Sequence, residues 1–158
     1  MNFLEQLAAE WYEYKGNFVR TNIKFGPRAH GGYTGEIDVA AYNPETHELT
    51  HIETSADADS KAKREKRFSK KFSDAKNHYL NIFPFKGGFK QVAILGFSDN
   101  VHTLNFGKNI TIKSIPEFIN DINNELKKIN PAAKAVPESY PLLRAIQHSA
   151  FYSARNNR

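Results

Sequence analysis

Two short runs carry the residues best suited to chemistry, Gly35-Glu36-Ile37-Asp38-Val39 and His51-Ile52-Glu53-Thr54-Ser55. Between them Asn43-Pro44-Glu45-Thr46-His47-Glu48 is polar and holds a Pro and an Asn, which predicts a turn. The flanking Ile, Val, Ala, Tyr and Leu residues come in runs of strand length. A hairpin that closes symmetrically about this turn sets Asp38 directly opposite Glu53. Directly opposed side chains share a sheet face, with Cβ atoms roughly 4.5–5.5 Å apart, and two like charges there destabilise the sheet unless a cation lies between them. A divalent metal is one such cation, because hard cations take carboxylate oxygens and keep water on their open positions. The other reading is a different register, or a wet face with lysine partners nearby.

The composition narrows the function classes. At 158 residues with 40% hydrophobic and 25% charged, the chain is expected to form one globular domain with a core of its own. It has no cysteine, which excludes disulfides, thiol nucleophiles and thiolate metal sites. No apolar run approaches the roughly 20 residues of a membrane helix, so no membrane partner is expected. Residues 1–15 carry Glu5, Glu10 and Glu13 without an uninterrupted apolar stretch, so they do not read as a secretory signal. A cytoplasmic location is the simplest expectation. The net charge of +5 favours a polyanionic partner.

The elements that must position Asp38 and Glu53 are legible in outline. Leu4, Leu7, Ala8 and Trp11 recur at helical spacing over residues 3–15, with Gly16-Asn17 as the stop. Glu5 lies at the edge of that apolar stripe, where it either points toward the packing partner or serves as a first-turn carboxylate favoured by the helix dipole. Val19, Thr21, Ile23 and Phe25 alternate with Arg20, Asn22 and Lys24, predicting a half-buried strand. Residues 26–32 are a loop by composition, and they lack the spacing of a phosphate-binding fingerprint.

Residues 58–80 read as one long helix with Phe68, Phe72, Ala75 and Tyr79 in a stripe that Lys61 and Arg64 extend. Its first half is strongly basic: Lys61, Lys63, Arg64, Lys66, Arg67, Lys70 and Lys71 accompany a single acid, Glu65. Such a face is either merely solvated or a surface for phosphates. The apolar run at 91–97 predicts a strand buried on both faces, and 103–106 and 110–112 read as short edge pieces. Ser114-Ile115-Pro116-Glu117 starts a helix that Asn130-Pro131 stops. Residues 131–141, with three prolines, form a connector to a last short helix at 142–152 and a tail bearing Arg155 and Arg158. The reading is a domain over 1–130 with 131–158 attached to it, in an α/β layered architecture.

Taken in order, these features resemble the PD-(D/E)xK, or restriction-endonuclease-like, nuclease superfamily, and within it the small resolvase-like members. The resemblance covers roughly residues 3 to 97. It rests on Glu5-Gln6-Leu7-Ala8 with Gly16, on Arg20-Thr21-Asn22, on Gly35-Glu36-Ile37-Asp38 and on Glu53-Thr54-Ser55 closing the next strand. It implies a central mixed β-sheet flanked by helices on both faces. It implies magnesium or manganese on Asp38 and Glu53, with Glu5 as a third ligand, and hydrolysis of phosphodiester bonds in DNA. A homodimer is a further implication, since family nucleases that cut both strands often pair.

One residue departs from the family pattern. Serine stands at position 55 where the family has its lysine, and a hydroxyl supplies neither the charge nor the reach. Superfamily members relocate catalytic residues, which makes Lys61 the first candidate replacement, ahead of Lys24 and Lys63. Arg20, Lys24, Lys63, Arg64, Arg67, Lys70 and Lys71 are the expected nucleic-acid contacts. The alternatives are a catalytically inactive nucleic-acid-binding module and a regulatory subunit that meets an acidic protein surface.

Overall fold

A computed structural model describes residues 1–97 and 100–156. Ser98, Asp99 and the tail residue Arg158 lie outside the described residues. The chain forms two compact units, Met1–Ser114 and Ile115–Arg158.

The first unit holds α1 (Phe3–Tyr14), β1 (Phe18–Pro27), β2 (Tyr33–Tyr42), β3 (Leu49–Ser55), α2 (Lys61–Lys76), α3 (Tyr79–Ile82), β4 (Phe89–Leu95) and β5 (Ile110–Ser114). Its five strands lie in the order β1-β2-β3-β4-β5. The first three are antiparallel, and β3, β4 and β5 run parallel, giving a mixed sheet flanked by helices. Residues 103–106 do not form a strand: Val101–Thr103 is a 3₁₀ turn, and Leu104 and Phe106 pack instead on Phe68, Phe72 and Leu95.

The hairpin has the expected register. Asn43 Oδ1 accepts the backbone N–H groups of Glu45 and Thr46, closing the turn, and β2 pairs β3 from Tyr42↔Leu49 to Val39↔Ile52. The next step of that register sets Asp38 beside Glu53, and there the ladder stops. On its other side Asp38 faces Asn22, in a rung missing between Thr21↔Val39 and Ile23↔Ile37. Asn22 has a φ of 52°, a left-handed conformation that its short polar side chain tolerates. The sheet is therefore open on both sides of Asp38.

Asn2 caps α1 by accepting the N–H groups of Leu4 and Glu5, while Glu5 returns its carboxylate to Asn2. This capping box satisfies donors that helix geometry leaves unpaired, worth about 1 kcal/mol. Leu4, Leu7, Ala8 and Trp11 form the buried face of α1, which packs on β1, β2 and β3. The long helix expected over 58–80 is broken at Asn77-His78 into α2 and α3. Phe68 and Phe72 are almost fully buried, each contributing roughly 1.5–3 kcal/mol by removing apolar surface from water.

The second unit holds α4 (Ile115–Leu126) and α5 (Pro141–Asn156), the latter longer than the sequence suggested. Phe118, Ile122 and Leu126 on α4, and Leu143, Gln147 and Phe151 on α5, are buried at helical spacing. Gln147 holds the connector: its carbonyl accepts from Val136 N–H at 2.8 Å and its amide donates to the Lys134 carbonyl at 2.9 Å.

Candidate active site

The sheet and α2 place the candidate residues by simple geometry. Residues 51, 53 and 55 of β3 point to one face, about 6.6–6.8 Å apart in steps of two. One helical turn of four residues rises about 6 Å. With α2 folded back along β3, Arg67 meets Ser55, Lys71 meets Glu53 and Phe72 meets His51. The step from Ser55 to Glu53 is matched by one turn of the helix, from Arg67 to Lys71.

Lys71 is the cation between the opposed carboxylates. Its Nζ donates to Asp38 Oδ1 at 3.0 Å and to Glu53 Oε2. Asp38 is nearly buried, and its Oδ2 accepts the Thr54 N–H at 2.8 Å, a donor released by the end of the β2–β3 ladder. Burial and the Asp38 charge push the Glu53 carboxyl well above the usual carboxylate range, with Lys71 opposing them. Burial also disfavours the Lys71 charge, but the two carboxylates outweigh it and raise the lysine above its ordinary value.

Behind Glu53 runs a buried polar chain. His51 Nε2 lies 2.6 Å from Glu53 Oε1 and His51 Nδ1 lies 2.7 Å from the Tyr79 hydroxyl. Gln91 Nε2 donates to that hydroxyl at 2.6 Å and to the Phe72 carbonyl at 3.0 Å. Burial holds the His51 imidazole neutral, down to about 3, and raises the Tyr79 phenol.

Ser55 belongs to a separate ionic cluster. Its hydroxyl donates to Asp57 and accepts from Arg67 Nη2 at 3.2 Å, and Arg67 also bonds Asp57 and, at 2.7 Å, Asp59. Burial works against the Asp57 charge, but hydrogen bonds from Ser55 and Arg67 hold its carboxyl down to about 2. Arg64 is 1% exposed. It donates to the Asp57 carbonyl, while its Nε and Nη1 have no hydrogen-bond partner although Nε lies 3.4 Å from Asp57.

The remaining candidates have other partners. Lys61, the first candidate for the relocated lysine, is exposed and sits 3.9 Å from Glu65. It lies ten residues before Lys71, roughly 15 Å along the helix axis, beyond the end of β3. Lys63 sits 3.9 Å from Asp59 and Lys24 lies over the Tyr33 ring. Glu5 spends both carboxylate oxygens on Asn2, and among the described residues no group of three His, Asp or Glu is placed to hold a metal.

The basic face is also less free than its sequence implies. Arg64 is inside, Arg67 is paired with two aspartates, Lys70 pairs with Asp74, and Lys71 turns into the site. Arg20 remains exposed, with Nη1 on the Ile82 carbonyl at 3.1 Å. Sequence reasoning placed Lys71 among the nucleic-acid contacts rather than beside the two acids, and left His51 unassigned. The signal was present: Arg64, Arg67, Phe68, Lys71, Phe72 and Ala75 recur at three- and four-residue spacing, so all lie on one helical stripe.

The pair fits a hard divalent cation. Magnesium is commonly held by one or two carboxylates, with waters and phosphate oxygens completing its shell. Asp38 and Glu53 supply that number of carboxylates and no soft ligand.

No family model and no curated protein matches this chain. Among solved structures, it is similar to a crystal structure of a protein of unknown function, AF1548, with a TM-score of 0.50 and 14% identity. The match covers 94% of this chain and 95% of that one. At this identity the likeness concerns the fold alone.

Proposed function

We propose that this protein is a magnesium-dependent nuclease that hydrolyses phosphodiester bonds in DNA, on a restriction-endonuclease-like fold. The observation that carries the reading is the meeting of Asp38, Glu53 and Lys71, two acids and a lysine from three different elements, at one partly open point. Asp38 and Glu53 hold the metal, which when bound lowers the pKa of a coordinated water and offsets charge building on the phosphate. Lys71 takes the part that the family resemblance gives to the lysine missing at Ser55. An ammonium has three donors. Two of them serve Asp38 and Glu53, leaving the third for an attacking water or a phosphate oxygen. Its position on a helix rather than at the strand end explains how serine is tolerated at 55. Exposed Arg20 and Lys24 contact the DNA backbone by charge, which makes affinity salt-dependent and largely independent of sequence.

A second reading, an inactive nucleic-acid-binding module, draws on the same contact: Lys71 already bridges the acid pair without a metal. A cleavage assay on single- and double-stranded DNA and on RNA separates the two. The nuclease reading expects cutting with magnesium or manganese that EDTA and Asp38→Asn both abolish. Salt-sensitive binding without cutting, retained by Asp38→Asn, would establish the binding module.

A further inference from the structure

We infer that Gln91, Tyr79 and His51 are positioning residues that fix His51 as the Nε2–H tautomer, so that it donates to Glu53 Oε1 and leaves only Oε2 to face a cation. The inference rests on the metal reading for its consequence, but the tautomer itself follows from the hydrogen bonds alone.

Gln91 is buried, and its amide nitrogen serves both the Phe72 carbonyl and the Tyr79 oxygen. With that oxygen accepting from Gln91, the phenol has one hydrogen to give, and His51 Nδ1 is the group 2.7 Å away. Nδ1 must then be the acceptor nitrogen of a neutral ring, which places the ring hydrogen on Nε2, 2.6 Å from Glu53 Oε1. In the opposite arrangement Glu53 donates to Nε2 and Nδ1–H donates to Tyr79, whose own hydrogen is left in a buried site with both neighbours donating toward it. A buried unpaired donor is costly, so the first arrangement is favoured.

The rings are also held mechanically. His51 is fully buried, edge-on to both Phe72 and Tyr79 at centroid distances of 4.9 and 5.5 Å. Lys71 and Asp38 stand on the far side of Glu53, at Oε2 and beyond. Partners that orient a ligand in this way typically change metal affinity or activity 10–100-fold when removed.

The test uses the full chain and two readouts. Nitrogen-15 NMR of the His51 ring in the wild type is expected to show Nε2 protonated and Nδ1 bare. Tyr79→Phe should mix the tautomers and weaken Mn²⁺ binding, measured by calorimetry, by about 10-fold or more. His51→Gln should weaken it in the same range. A protonated Nδ1 in the wild type would overturn the inference. So would Tyr79→Phe with an unchanged tautomer and Mn²⁺ affinity within about twofold of wild type. A wild type that takes no Mn²⁺ defeats the metal reading instead, and the wild-type ring spectrum then decides the tautomer by itself.

Discussion

The Lys71 ammonium lies 3.0 Å from Asp38 Oδ1, joining residues 33 positions apart, and the same nitrogen bonds Glu53 on the neighbouring strand. The strand pair alone would hold two carboxylates together in a nearly buried place. Lys71 supplies the positive charge that lets the two acids sit together there.

Removing that lysine leaves both acids buried without a cationic partner. Lys71→Ala is expected to destabilise the protein by about 2–4 kcal/mol, toward the low end of buried-pair losses because Lys71 is one-third exposed. Urea unfolding at pH 7 measures this. Adding Glu53→Gln to Lys71→Ala should recover part of the loss, since it removes one of the two acids left without a cation.

Stability should also depend on pH through His51. The buried imidazole stays neutral until about pH 3, whereas an unfolded histidine takes its proton near 6.5. Between those values the unfolded chain binds the extra proton, so stability falls as the pH drops from 6.5 toward 3. Glu53 works the other way: its raised carboxyl stabilises the fold below its ordinary value of 4.5, a contribution lost as pH rises through the raised one. Denaturant unfolding at pH 4, 5 and 7 should therefore show His51→Gln with less acid-side loss than the wild type, and Glu53→Gln with more.

Arg64 offers a different kind of test. Its guanidinium is buried with Nε and Nη1 unsatisfied, so its desolvation is poorly compensated. Arg64→Met should change stability by less than about 1 kcal/mol and leave nucleic-acid affinity unaltered. A loss of affinity comparable to that of Arg20→Ala would mean that Arg64 reaches phosphate.

Much of the first unit was legible in the sequence. The alternation in β1, the Asn43 turn and the spacing from Asp38 to Glu53 each follow from local rules of strand and turn, and the hairpin register is the expected one. Lys71 was harder to single out, because in a run of seven basic residues the inward one shows only when each is set against the stripe of Phe68, Phe72 and Ala75 that packs on the sheet. The break at Asn77-His78 was hidden likewise, because the apolar period continues through it to Tyr79. The fold brings Asp57 and Asp59 onto the basic helix, where both pair with Arg67, while Asp74 lies on that helix and pairs with Lys70 one turn before it.

Salt dependence separates the exposed cations from the paired ones. Arg20→Ala and Lys24→Ala should each lower the slope of log affinity against log salt by about one, while Arg67→Ala should mainly lower stability. Fluorescence anisotropy on a DNA duplex at several salt concentrations measures the slope.

The most direct measurement is the rate of magnesium-dependent DNA cleavage by the wild type, Lys71→Ala and Lys61→Ala, with circular dichroism confirming that each is folded. Loss of about 100-fold or more in Lys71→Ala, with Lys61→Ala within about threefold of wild type, is the predicted result. Cleavage retained without Lys71, or lost without Lys61, would contradict the assignment of Lys71 to the site.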